Sequence, residues 1–282
     1  VSALTNIAIT PVFVFGWGPV PSFGIAGAAI GTLIAWLVTV FGAFALVVWR
    51  EKMLTRHLPA FGTLAASWKR VLAVGIPASF GNAVNPIGIA VATALIAGFG
   101  DVVVAGFGVA TRIESLSVIP MLALSSAIGP FSGQNWGAGR CDRVAEALKF
   151  CYTVCTLWAA VLAVVFWFAA APVVRVFSQE ADVVQSAATY LAIVPLSLWG
   201  YGVVIITAGA FNALGRSHFG LGFYLIRTAV FYIPFSFVAA RMAGSETVFY
   251  AIAIANALAG VVVAGLAMRW LSNHTAPQPA EA

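Results

Sequence analysis

Charge is what this chain has least of. Nine acidic and 14 basic residues are spread over 282 positions, 8% of the total against 62% hydrophobic residues, and mean hydropathy is +1.01. So few charges cannot cover the surface of a water-soluble protein of this length, which makes lipid the solvent for most of that surface. Cysteine is nearly absent as well. Cys141, Cys151 and Cys155 are an odd number, which argues against a disulfide framework, and none stands at metal-ligand spacing from a histidine. Cys151 and Cys155 share a helix face and read as small buried hydrophobes. The net charge of +5 forms no basic stripe with interleaved aromatics, which argues against nucleic acid as a partner.

Catalytic constellations are missing too. The chain has no GxSxG, no Walker motif and no paired acids inside an apolar stretch. His57, His218 and His274 fall at polar breaks or in the tail. These absences point away from an enzyme, a metal site and an organic cofactor. Without a nucleotide site, active transport would run on a gradient of H⁺ or Na⁺.

Long apolar runs are what the chain does have. Seven blocks are long enough to cross a bilayer: 23–49, 71–100, 102–132, 145–177, 183–214, 219–240 and 248–271, preceded by a partial span over 1–16. The fold class expected is an all-α membrane bundle. The chain begins Val-Ser-Ala inside an apolar segment, with no Met and no signal peptide. It therefore reads as a C-terminal fragment. Residues 1–49 would end one lobe, 50–70 form a cytoplasmic linker, 71–272 make a six-helix lobe and 273–282 a disordered tail. In the linker, Phe61, Leu64 and Trp68 suggest an amphipathic segment lying on the membrane surface.

The breaks carry a charge pattern. If each block crosses once, Arg50, Lys52, Arg56, Lys69, Arg70, Arg140, Arg143, Lys149, Arg216 and Arg269 fall on one side. Only Arg175 and Arg241 fall on the other, with Asp101, Glu180, Asp182 and Glu246. The positive-inside rule then places the basic side and the C-terminus in the cytoplasm, and the protein in the inner membrane. Pro77, Pro86, Pro120, Pro130, Pro195 and Pro234 interrupt the spans. Each frees a backbone carbonyl, tolerated in lipid only where protein or a water-filled cavity satisfies it. The glycine- and alanine-rich runs at 24–29 and 260–265 let helix backbones approach closely.

Within the spans, Arg112 and Glu114 are the only groups of block 102–132 that ionise at neutral pH. Thirty helical residues cover about 45 Å, and Glu114 lies about 18 Å along them. An ionisable group at that depth marks an ion or substrate pathway by default. Glu114 is a candidate proton acceptor, or a Na⁺ ligand helped by carbonyls. Arg112, two residues away, faces nearly the opposite side of the helix. Arg227 lies near mid-depth of its own block, so Glu114 either pairs with it structurally, couples to ions or substrate, or sits at an interface. Asn82 and Asn85 share a face between Pro77 and Pro86 and read as cavity-lining amides or as an interhelical hydrogen bond. Tyr201, Thr207 and Asn212 are the candidate lining of a substrate cleft.

The segment Gly133-Gln134-Asn135-Trp136-Gly137-Ala138-Gly139-Arg140 follows Arg112-Ile113-Glu114-Ser115 by about 20 residues. Asn6-Ile7-Ala8-Ile9-Thr10-Pro11, the run Gly24 to Thr32, and Phe211-Asn212-Ala213-Leu214-Gly215-Arg216 complete a set in order. The set resembles the multidrug and toxic compound extrusion (MATE) family, in its DinF-like branch. The resemblance implies twelve helices in two lobes, of which this chain holds the end of the first and all of the second. It implies a monomeric exporter of cationic or amphipathic organic compounds, exchanging them for H⁺ or Na⁺ by alternating access. Thr10 stands where the family usually has Asp, and Asn85 where one branch has a cation-binding Glu. That leaves Glu114 as the acid within a span. A lipid-linked sugar flippase of the same superfamily is the alternative, with only Arg112 and Arg227 to hold pyrophosphate. A non-transporting membrane scaffold is another.

Overall fold

The computed structural model describes residues 2–54, 60–242 and 244–274. Regular structure among them is helical, apart from one isolated bridge between Trp17 and Val20. Seven helical segments are long and apolar enough to cross a membrane. The chain divides into two compact units, Val1–Ala66 and Ser67–Ala282.

In the first unit, α1 (Ser2–Phe15) packs on α2 (Ile25–Ala45), which a π-helical turn extends through Arg50. The small-residue run makes this contact. A side chain on Gly27 would strike the Phe13 carbonyl, and one on Gly31 would strike Thr10. Asn6 Nδ2 donates to Thr32 Oγ1 across the pair at 3.2 Å. Both polar groups are thereby satisfied inside the helix pair.

The second unit takes in most of α3 (Phe61–Ile96), then α4 (Asp101–Ser117), α5 (Ile119–Gly137), α6 (Cys141–Arg175), α7 (Ala181–Ile193), α8 (Leu198–Ala213), α9 (Ser217–Leu225), α10 (Ile233–Ala239) and α11 (Glu246–His274). Phe61, Leu64 and Trp68 belong to the first turns of α3, not to a separate surface segment, because no proline stops a helix between Phe61 and Pro77. Arg56, His57 and the tail from Thr275 lie outside the described residues.

Three expected single spans are interrupted. Block 102–132 breaks at Val118 between α4 and α5, two residues before Pro120. Block 183–214 breaks in a 3₁₀ turn, Pro195–Ser197. Block 219–240 opens into a π-helical stretch, Ile226–Tyr232, directly before α10 with its Pro234. Proline removes the bond to the carbonyl four residues back, and the helix resolves the conflict locally by tightening or widening. Pro77, Pro86 and Pro130 stay inside continuous helices.

Three carbonyls at these places accept from a side chain. Pro77 cannot bond the Ala73 carbonyl, and Ser217 Oγ donates to that oxygen at 3.3 Å. At the α4–α5 break, Trp158 Nε1 of α6 donates to the Ser117 carbonyl at 2.9 Å. Ser197 Oγ bonds the Val194 carbonyl at 2.7 Å within the 3₁₀ turn.

Helix α8 is buried along almost its whole length and is the centre of the unit, packed by α5, α6, α9 and α11. A helix apolar on all sides belongs in such a place. Its glycines set the distances. A side chain on Gly200 would strike the Asn256 backbone, one on Gly202 would meet Met121 and Cys155, and one on Gly209 would meet Ser125. Cys141, Cys151 and Cys155 are free and buried, as expected of small hydrophobes.

Replacing Trp158 with Phe keeps the ring and removes the donor to Ser117. We expect a loss of about 1 kcal/mol of stability, the usual worth of an interhelical hydrogen bond in a membrane protein. Thermal melting in detergent, compared with the wild type, measures it.

Candidate functional site

The three interrupted spans meet α3 and α11 around one buried polar cluster. Arg227, at the start of the π-helical stretch, is 3% exposed. Its Nε donates to Asn256 Oδ1 of α11 at 2.9 Å, and its Nη1 to Asn85 Oδ1 of α3 at 2.8 Å. The guanidinium lies over the Tyr201 ring of α8 at 3.9 Å from its centre, and 5.3 Å from that of Tyr232. Asn256 Nδ2 passes the chain on to Ser197 Oγ at 3.3 Å. Beside this chain, Tyr190 of α7 donates its hydroxyl to Glu114 Oε2 of α4 at 2.5 Å. Tyr190 is itself held edge-on between Phe107 and Phe249.

The depth of the cluster follows from helix geometry. Counted from the acidic ends of the spans at 1.5 Å per residue, Glu114, Asn85, Tyr190, Ser197, Arg227 and Asn256 all lie about 14–24 Å in. That is well inside the hydrocarbon of a bilayer. A buried guanidinium is tolerable there because two amide oxygens and two ring faces replace its water.

The Glu114–Arg227 ion pair considered from the sequence does not form. Neither residue is in an ion pair; those found among the described residues are Arg50–Glu51 and Arg140–Asp142. The reason is competition from neutral partners. Tyr190 takes Glu114, and the two amides take Arg227. Arg112 is exposed, on a different side of α4 from half-buried Glu114. Asn85 joins the cluster as an interhelical bridge, whereas Asn82 is exposed.

The proposed cleft lining divides. Tyr201 is at the cluster, under Arg227. Thr207 is fully buried and lines no open space: it meets Tyr152 Oη at 2.6 Å and donates to the Val203 carbonyl at 2.7 Å. Packing of α6 against α8 closes over it. Asn212 sits near the other end of α8, its buried Oδ1 under Gly220. Sequence reasoning missed Tyr190, Ser197, Tyr232 and Asn256. Asn256 carried a readable signal, being the single amide in the middle of an apolar block. The tyrosines carried none beyond that of interface aromatics.

Comparison with known proteins places this geometry. The MatE family model matches residues 77–238, more than half of the chain. A protein of Shewanella oneidensis described as an FAD transporter is 32% identical over 268 residues, covering 95% of this chain and 59% of its own length. YpnP of Bacillus subtilis, described as a probable multidrug resistance protein, is 26% identical, covering 83% and 52% respectively. The crystal structure of the Vibrio cholerae MATE transporter VcmN in its bent form superposes with a TM-score of 0.83 at 26% identity, over 97% of this chain and 62% of that one. The chain therefore spans a little over half the length of the proteins it matches.

Asn256→Leu would leave the Arg227 Nε–H without a partner in the interior. A destabilisation of about 1–3 kcal/mol is expected, whereas exposed Asn82→Ala should fall within about 0.5 kcal/mol of the wild type. Paired melting curves of the two variants test the difference.

Proposed function

The chain belongs to the MATE family, and on that premise we propose that it forms the second lobe of a secondary active transporter. The whole protein exports organic compounds, often cationic or amphipathic, in exchange for H⁺ or Na⁺. The observation that carries this reading is Glu114. It is an acid at mid-depth, half-buried, engaged on one oxygen by Tyr190 and free of any contact cation. Its second oxygen is available to H⁺ or Na⁺.

Arg112 supports the same picture. An exposed guanidinium at that depth cannot face hydrocarbon without large cost, so the Arg112 side of α4 faces a water-filled cleft. The interrupted spans fit as well. Transporters break helices where backbone lines a site and where parts must rock. Coupling then follows from differential affinity: a cation on Glu114 favours one access state, and substrate the other.

A narrower second reading concerns the substrate. The Shewanella oneidensis relative is described as an FAD transporter. In this chain Arg112, exposed on α4 and outside the ion pairs found among the described residues, is the cation open to an anionic ligand. Taken with that relative, it favours a flavin dinucleotide as the second substrate class. Export of FAD and of a cationic dye from the same cells separates the two substrate classes.

The charge pattern also sets an orientation. In the second unit Lys69, Arg70, Arg140, Arg143, Lys149, Arg216 and Arg269 gather at one set of span ends, leaving Arg175 and Arg241 at the other. The basic ends face the cytoplasm of the inner membrane. A reporter fused to the C-terminus should be active only in a cytoplasmic form; a periplasmic signal reverses the assignment.

The central test is dye efflux by the full-length protein under imposed H⁺ and Na⁺ gradients. Glu114→Gln keeps the shape and the bond from Tyr190 but cannot ionise, and gradient-driven efflux should fall to background. Wild-type efflux by that variant would remove Glu114 from coupling.

A further inference from the structure

At the basic end of the second unit, α9 and α11 leave a groove of about 320 Å³ between them. Phe211 and Phe223 form its floor, and both are buried. Phe219 and Trp270 form its sides. The walls are fixed, since Phe211 packs against Phe223 at 5.2 Å, Trp270 at 5.0 Å and Phe219 at 5.8 Å between ring centres. Trp270 is clamped from behind by Trp136 at 5.3 Å and by His274 at 4.0 Å. The groove reaches Ile226 and Leu266, about 12 Å in from the helix ends.

Its mouth differs in character. Arg269, His218 and Asn273 line it and all three are exposed, and no acidic residue among the described ones lines the groove. Among the described residues Arg269 takes part in no ion pair, and exposed Arg216 stands just before α9. An apolar slot that starts at headgroup level and runs into the hydrocarbon, with unneutralised positive charge at its opening, selects one class of ligand. We propose that this groove binds an anionic phospholipid. One acyl chain lies along Phe219, Phe223 and Ile226, and the phosphate meets Arg269, with His218 and Asn273 as hydrogen-bonding neighbours. Basic pockets between helices on the side where anionic lipids gather act in this way. The aromatic walls suit an interface, where rings sit between headgroups and chains. Transport need not be the protein's activity for the site to exist.

Gly222 makes the proposal testable without damage to the fold. It lines the groove, and a Cβ built on it meets nothing within 4 Å. Leucine there fills the slot and raises helix propensity. The experiment is native mass spectrometry of the full-length protein with phosphatidylglycerol or phosphatidylethanolamine of identical chains. The wild type should retain phosphatidylglycerol about fivefold more than phosphatidylethanolamine, the share expected of one basic residue at an anionic headgroup. Arg269→Gln should bring the two lipids level while both still bind. Gly222→Leu should lose both, with an unchanged melting temperature. Glycerol phosphate, the headgroup without chains, should not compete. Equal retention of the two lipids by the wild type overturns the proposal, as does full retention by Gly222→Leu or competition by glycerol phosphate.

Discussion

Nothing in hydrocarbon replaces a missing hydrogen bond, and that one constraint organises this structure. A helix can cross a membrane only with its backbone groups satisfied, and proline removes one bond each time it appears inside a span. This chain places prolines in most of its spans and answers two of them with a side chain from another helix. Ser217 reaches the carbonyl opposite Pro77, and Trp158 reaches Ser117 at the break before Pro120. Ser and Thr hydroxyls elsewhere turn back onto their own helices, as Thr93, Thr111 and Thr207 do. Carbonyl repair thus adds cross-links between helices to the close packing of the apolar core.

The polar cluster gathers at the same interruptions. Tyr190, Ser197 and Tyr201 flank or occupy the break at Pro195, Arg227 and Tyr232 bound the π-helical stretch, and Glu114 precedes the Val118 break. At these interruptions the groups meet one another across the helices. Glycine completes the arrangement, because Gly200 and Gly260 bring α8 and α11 into backbone contact and Asn256 into reach of Arg227.

Much of this was legible in the residues. The number of spans, the basic ends, the small-residue contacts and the likeness to the family follow from composition and motif order, because lipid enforces simple rules on length and charge. The breaks were legible only as prolines. Pro77 stays inside a continuous helix whereas Pro195 opens a 3₁₀ turn, and the residue type is the same in both. Side-chain partners were least legible. Arg227 was read toward the nearest opposite charge, yet it bonds Asn85 and Asn256, residues 142 and 29 positions away in the chain. Opposite charge is visible in sequence, but the cost of desolvating both ions is not.

That cost bears on why the acid and the guanidinium stand apart. Two opposite charges in contact at about 4 Å are worth about 4 kcal/mol at an effective dielectric of 20. A carboxylate so bound gives up its place to a proton or a sodium ion only against that attraction. Glu114 instead has a neutral phenol as its contact, and Arg227 is satisfied by groups that need no counter-charge. No ion pair joins the two. On the proposed reading, this is what an exchange site requires. The protein gives Arg227 amides and rings, so that it has no need of the carboxylate itself.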